Sequence, residues 1–198
     1  MELEDIIRKE YPMSDEGLDL LRPLLRTVVY PKKTILVKAG EVSTSFYMIK
    51  KGICRNYMLI NGYERTRWFA EEGDMACSMF SFARSEPAPD FIDAVTEVEA
   101  YVADIKDIRN LLIESSEWAK WTTQYLIDGL YVLADRSISI GEGEAYDKYR
   151  KLQKARSNEF FQNVPLQYIA SYLYMTPQTL SRIRRKIVRG GKSGSSES

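Results

Sequence analysis

Residues Val164 to Arg189 read VPLQYIASYLYMTPQTLSRIRRKIVR, and the second half of that stretch begins as a helix should. Thr176 is a good N-cap, because its hydroxyl can accept from a free backbone N–H. Pro177 then occupies the first helical position, where a missing donor costs nothing. Winding the sequence at about 100° per residue separates two faces. Leu180, Ile183 and Ile187 form an apolar stripe, while Gln178, Ser181, Arg182, Arg185 and Arg189 project from the opposite side. Upstream, Pro165 opens a shorter helix in which Ile169, Ala170 and Leu173 supply packing, and the small Ala170 permits close approach. The pair reads as a helix-turn-helix. A helix that reads DNA must be anchored behind by a core and carry Arg, Gln or Ser in front. The turn Tyr174-Met175-Thr176 lacks glycine, although a left-handed residue is usual there and costs about 1–2 kcal/mol without one. An ordinary helical hairpin with a solvated basic face is the competing interpretation.

The charge distribution favours an anionic partner. The 198 residues sum to zero net charge. Residues 1–145, however, hold 17 Lys+Arg against 25 Asp+Glu, and residues 146–198 hold 11 against 3. A neutral total therefore conceals an acidic body and a basic C-terminal module. The chain contains no histidine and two cysteines, Cys54 and Cys77. Histidine-dependent triads, histidine metal sites, a histidine-ligated haem and a four-cysteine cluster are thereby excluded. No phosphate-binding glycine loop, catalytic constellation or cofactor motif stands out, so an enzyme is not expected. The amino end has no signal-peptide pattern and no segment is apolar enough to span a bilayer, which predicts a cytoplasmic protein without membrane contact.

Between these extremes the texture is that of a sheet protein. Residues 4–11 and 14–26 carry helical spacing. From Val28 to Val102, short runs rich in Val, Ile, Tyr and Phe alternate with turns, and Gly40, Gly52, Gly62 and Gly73 recur at sandwich rhythm. Asn61-Gly62 predicts a tight hairpin, and SEPAPDF predicts a loop. Residues 104–113 predict a short helix and 116–140 a long one with two apolar stripes. Trp118, Trp121, Tyr125 and Val132 form one, expected on the sheet domain. Leu126, Leu130, Leu133 and Ile140 form the other, expected on a second copy of the chain. Gly141 and Gly143 predict a hinge over 141–145, followed by the helix-turn-helix module over 146–190 and a disordered tail over 191–198.

This order, with KAGEVSTSFYMIKKGICRNY (38–57), FAEEGDMACSMFSF (69–82), AVTEVEAYVADIKDIRNLL (94–112) and IASYLYMTPQTLSRIRRKI, resembles the Crp/Fnr superfamily of bacterial transcription regulators. The resemblance implies an α+β fold. Residues 1–115 would form a jelly-roll-like, cyclic-nucleotide-binding-like β-roll with flanking helices. Residues 116–140 would be a dimerisation helix and 146–190 a winged-helix type of helix-turn-helix domain. It implies a homodimer on a palindromic double-stranded DNA operator, with RNA polymerase as a further partner. Gln178, Thr179, Ser181, Arg182, Arg184, Arg185, Lys186 and Arg189 would meet DNA. Members that bind cyclic AMP use Gly-Glu for the ribose and Arg followed by Ser or Thr for the phosphate. Here Gly73 precedes Asp74, and the phosphate position reads Pro87-Ala88-Pro89-Asp90, where Asp90 or Asp93 would repel an anion. Arg84 stands nearby at another spacing. Usual cyclic AMP binding is therefore not expected. An unidentified small-molecule effector would meet Trp68, Gly73, Asp74, Cys77, Phe82 and Tyr125, and no cofactor is identified. Met75, Met79, Phe80 and Phe82 are equally well explained as core. The alternative function is a small-molecule-binding β-roll whose helical C-terminal module binds another protein.

Overall fold

The computed structural model describes residues 1–142 and 144–192 in backbone, and the side chains of 1–138 and 144–187. The chain divides into two compact units, Met1–Val132 and Leu133–Ser198.

The first unit begins with helices α1 (Leu3–Glu10) and α2 (Asp15–Leu21) and a short 3-10 turn, Arg22–Leu24. Eight strands follow: β1 (Arg26–Tyr30), β2 (Ile35–Val37), β3 (Ser45–Lys51), β4 (Cys54–Ile60), β5 (Tyr63–Ala70), β6 (Met75–Ala76), β7 (Phe91–Ala94) and β8 (Val98–Asp104). Helix α3 (Met79–Arg84) lies between β6 and β7, and α4 (Ile105–Glu114) and α5 (Ser116–Glu142) come after β8. All pairings are antiparallel, in two four-stranded sheets ordered β1-β8-β3-β6 and β2-β7-β4-β5.

Strand β3 shows why the sheets stack as they do. Its run Phe46-Tyr47-Met48-Ile49 is buried at every position, as a strand covered on both faces requires. Tyr47 and Ile49 join Val98, Ala100 and Val102 against Cys54, Ala70, Ile92 and Ala94 of the other sheet, forming the interior of the roll. Phe46 and Met48 face the opposite way, into a cluster with Ile6, Ile7, Leu18, Leu21, Ile108, Leu111, Trp118 and Trp121 from α1, α2, α4 and α5. Both indoles are satisfied: Trp118 Nε1 donates to Gly17 O at 2.9 Å and Trp121 Nε1 to Ile7 O at 2.8 Å. Two turns need glycine specifically. At Asn61-Gly62 both residues have positive φ, 53° and 81°, the geometry expected of the hairpin. At Gly52, φ is 98°, and an added Cβ would sit 2.2 Å from Glu97 O.

Several expectations change here. Met79 and Phe80 are exposed, because α3 turns its first residues to solvent. That helix was not foreseen, although Ser78 caps it by accepting from Ser81 N. On α5, Trp118, Trp121 and Tyr125 pack against the sheet unit as expected, but Val132 is exposed and leaves that stripe. Leu126, Leu130 and Leu133 form an exposed face, joined by Ile127 and Tyr131. The side chain of Ile140 lies outside the described residues. Gly141 and Glu142 continue α5, since a single helical glycine costs only about 1 kcal/mol. The expected hinge thereby shrinks, and Gly143 lies outside the described residues.

The second unit contains α6 (Ala145–Ala155), α7 (Asn158–Asn163), α8 (Leu166–Tyr172) and α9 (Pro177–Lys192). Tyr149, Leu152, Phe160, Val164, Ile169, Ala170, Leu173 and Leu180 are buried. Among the described residues this unit has no strand, so the expected wing is not found. Tyr149 and Leu152 lie three apart, at helical rather than strand spacing. Gly191 and Lys192, expected in a disordered tail, extend α9, and residues 193–198 lie outside the described residues.

Candidate nucleic-acid interface and effector site

The turn between α8 and α9 is built without glycine. Tyr174 takes the left-handed conformation itself, with φ 56°. Two hydrogen bonds close the end of α8 around it: Met175 N donates to Ala170 O at 3.0 Å and Tyr174 N to Ser171 O at 3.2 Å. This is a Schellman motif with tyrosine in the glycine position. Two residues later Thr176 caps α9, its Oγ1 accepting from Thr179 N at 3.1 Å. The Thr179 hydroxyl lies 2.9 Å from the same oxygen, so this side chain is engaged in the cap.

Helix α9 is anchored by Leu180, which is 0% exposed, with Ile183 and Ile187 half-buried behind it. Gln178, Arg182, Arg184, Arg185 and Lys186 are exposed and Ser181 is half-buried. Arg185 donates to Ser181 Oγ at 3.5 Å, one turn back. Lys186 Nζ stands 5.7 Å from the centroid of the Tyr146 ring on α6. The side chain of Arg189 lies outside the described residues. Apart from the half-buried Ser181, the face that sequence spacing assigned to solvent is exposed where its side chains are described. A helix end carrying several guanidinium and ammonium groups over an apolar anchor is suited to phosphates and base edges. The long helix supports the same unit. Arg136 donates to Tyr172 O at 3.4 Å and lies 4.1 Å from the Tyr172 ring, while Lys151 pairs with Asp135 at 2.6 Å.

The residues expected around an effector do not form one group. Cys77, Phe82 and Tyr125 pack on the helix-side cluster, with Phe82 against Phe46 at 5.9 Å. Trp68 packs instead on the cluster between the sheets. Gly73, with φ 90°, and Asp74 make the turn between β5 and β6. Asp74 Oδ2 accepts from Glu71 N at 2.9 Å, a bond that shapes the turn. Burial, helped by the charge of Asp90, pushes the Cys77 thiol up to about 12. Burial likewise pushes Cys54 up to about 12 and raises the Tyr125 hydroxyl well above the usual tyrosine range.

The two aspartates near the phosphate position part company. Asp93 does not face the interior. It lies opposite Arg55, on the side of β4 away from Cys54, and binds that guanidinium twice, at 3.1 and 2.7 Å. Arg55 also meets Glu64 at 2.7 Å and lies 4.1 Å from the Tyr57 ring. Asp90 accepts from the Asn56 side chain. Burial raises the Asp90 carboxyl above the ordinary range, while Asn56 and Arg67 act the other way. Asn56 is the interior polar residue that sequence reasoning missed. Its signal was parity: it stands two residues beyond Cys54 on β4, opposite Ile92 as Cys54 is opposite Ala94, and so shares the interior face.

Among the described residues, no helix is long and apolar enough to cross a membrane. No curated protein matches the sequence. Residues 27–115 match the family of the cyclic nucleotide-binding domain. Solved structures resemble the chain over most of its length. FixK2 from Bradyrhizobium japonicum is 16% identical with a TM-score of 0.72, covering 84% of this chain and 86% of its own. A CooA mutant from Carboxydothermus hydrogenoformans is 20% identical with a TM-score of 0.70, covering 96% and 86%. A protein described as a Crp/Fnr-family transcriptional regulator from Eubacterium rectale is 18% identical with a TM-score of 0.67, covering 90% and 85%. Residues 27–115 are thus similar to a cyclic nucleotide-binding domain, and the chain as a whole shares the fold of these three structures.

Proposed function

We propose that this protein is a homodimeric, sequence-specific DNA-binding regulator of transcription, with its β-roll as a sensor. The observation that carries this reading is the basic face of α9, with Gln178, Arg182, Arg184, Arg185 and Lys186 exposed over a fully buried Leu180. Each subunit would lay α9 in a major groove. Arg182 and Arg185 are best placed for guanine edges or phosphate, Gln178 for an adenine edge, and Arg184 and Lys186 for the backbone. The exposed apolar face of α5, with Leu126 at 46%, Leu130 at 65% and Leu133 at 60%, is the surface that two copies would cover. No role in catalysis is assigned to any residue.

Cyclic AMP is not the effector in the usual way. A phosphate entering beside Asp90 would meet a carboxylate, with Arg67 as the cation felt there. Calorimetric titration with cyclic AMP checks this directly, and micromolar binding would contradict it. The function as a whole is tested by selecting bound sequences from a random duplex pool. The expected product is an inverted repeat with half-sites about 34 Å apart. A pool that emerges without enrichment would favour the protein-binding alternative.

A further inference from the structure

The interior of the roll contains a polar atom that the fold itself does not satisfy. Asn56 is 1% exposed and stands opposite Ile92 and Trp68 in the ladders of β4. Both neighbours pack in the core between the sheets. Its amide nitrogen donates to the Asp90 carboxylate, which fixes the orientation of the amide, because the flipped form would set two oxygens against each other. Oδ1 is then buried without a hydrogen-bond partner. A buried acceptor left in that state is costly, and native interiors rarely tolerate one without a reason. Asp90 beside it is half-buried. The Cys77 thiol, close enough to feel that carboxylate, stays protonated and adds no charge. Arg67 is felt at Asp90 but is itself exposed, and the group left unsatisfied in the interior is an acceptor, Asn56 Oδ1.

We propose that Asn56 Oδ1 and Asp90 form the polar end of an effector site inside the roll, whose ligand presents N–H donors, as an ammonium or amide, rather than an anion. The remainder of the ligand is apolar, to match Trp68 and Ile92. The proposal rests on the reading of the roll as a sensor, and it reverses the charge preference of a phosphate site. An N–H donor pointed at Oδ1 supplies the missing bond, and a positive charge beside Asp90 is favoured over a negative one.

The test uses the full chain and three probes of similar shape: benzylamine, benzamide and benzoate. At roughly 5 mM, benzylamine should raise the melting temperature by about 4 °C and the uncharged benzamide by about 2 °C, and benzoate should not. Asp90→Asn should remove the advantage of benzylamine over benzamide. Asn56→Leu should abolish the response to both, and if that variant does not fold, Asp90→Asn decides. The proposal fails if neither N–H probe shifts the transition, if benzoate does as well as benzylamine, or if Asp90→Asn responds as the parent does. Gel shift on the same preparations keeps the two readings apart. A chain that binds duplex DNA but ignores every probe loses the ligand site alone.

Discussion

Tyr174 offers a direct measure of what the glycine-free turn costs. A side chain in the left-handed region carries about 1–2 kcal/mol of steric penalty. Glycine escapes that penalty but gives up about 0.5–1 kcal/mol of extra chain entropy on folding. The net gain of Tyr174→Gly over Tyr174→Ala is therefore centred on about 0.75 kcal/mol, within a range of about 0–1.5 kcal/mol. The comparison with alanine is essential. Tyr174 is 46% exposed, and the contacts of its ring are removed equally in both variants. Alanine keeps the left-handed penalty, so the difference isolates the backbone. Urea denaturation followed by far-ultraviolet circular dichroism, on the full chain, reads it as a shift in midpoint at constant slope. The bonds from Met175 N to Ala170 O and Tyr174 N to Ser171 O should persist in both. Amide exchange at Met175 checks that they do. If the glycine variant is no more stable than the alanine variant, Tyr174 does not hold a positive φ in solution and the turn described here is wrong.

Other consequences are open to measurement. Leu130→Glu places a charge in the exposed face of α5 and should shift sedimentation from dimer toward monomer while leaving the circular dichroism of the roll unchanged. Arg182→Ala should cost about 1–3 kcal/mol of binding to the selected operator and relax preference at one base pair, whereas Lys186→Ala should weaken all duplexes alike and flatten the salt dependence. The Ser14 hydroxyl and N–H each donate to Glu117 at 2.7 Å and hold its carboxyl below the usual glutamate range. That contribution to stability is present above the ordinary glutamate value and is lost as pH falls through the depressed one. Ser14→Ala should move the Glu117 titration upward in a carbon-detected NMR experiment. Cys54 and Cys77, both pushed up to about 12, should resist alkylation at pH 8 in the folded chain and react once urea opens it.

The legible parts of the sequence were those with strong local rules. Thr176-Pro177 fixed the start of α9, Asn61-Gly62 fixed the hairpin, and the spacing of Trp118, Trp121 and Tyr125 placed one face of α5 on the sheets. The basic face of α9 was legible for the same reason, since helical period alone separates it from Leu180. Long-range pairing was not legible. Nothing local distinguishes Asp93, held by Arg55 across β4 and β7, from Asp90, turned toward Asn56. Trp68 and Cys77 are close in sequence yet end in different clusters, because the chain crosses from one sheet to the other between β5 and β6. Helix α3 was hidden by its length, too short for a periodic signal to rise above the surrounding strands. Val132 left its stripe because period describes an angle and says nothing of where a covering surface stops.

The placement of the indoles makes the molecule its own optical instrument. The chain has three tryptophans. Trp118 and Trp121 lie 5.5 Å apart, near enough to share excitation, and each is tethered to a helix backbone by its N–H. Their emission reports whether the N-terminal helices stay docked. Trp68 sits opposite Asn56, in the other cluster. Replacing the tethered pair with phenylalanine would leave Trp68 as the one tryptophan, watching the inside of the roll, while replacing Trp68 instead would leave the pair that watches the helices, so that occupancy and detachment could be followed separately in two variants.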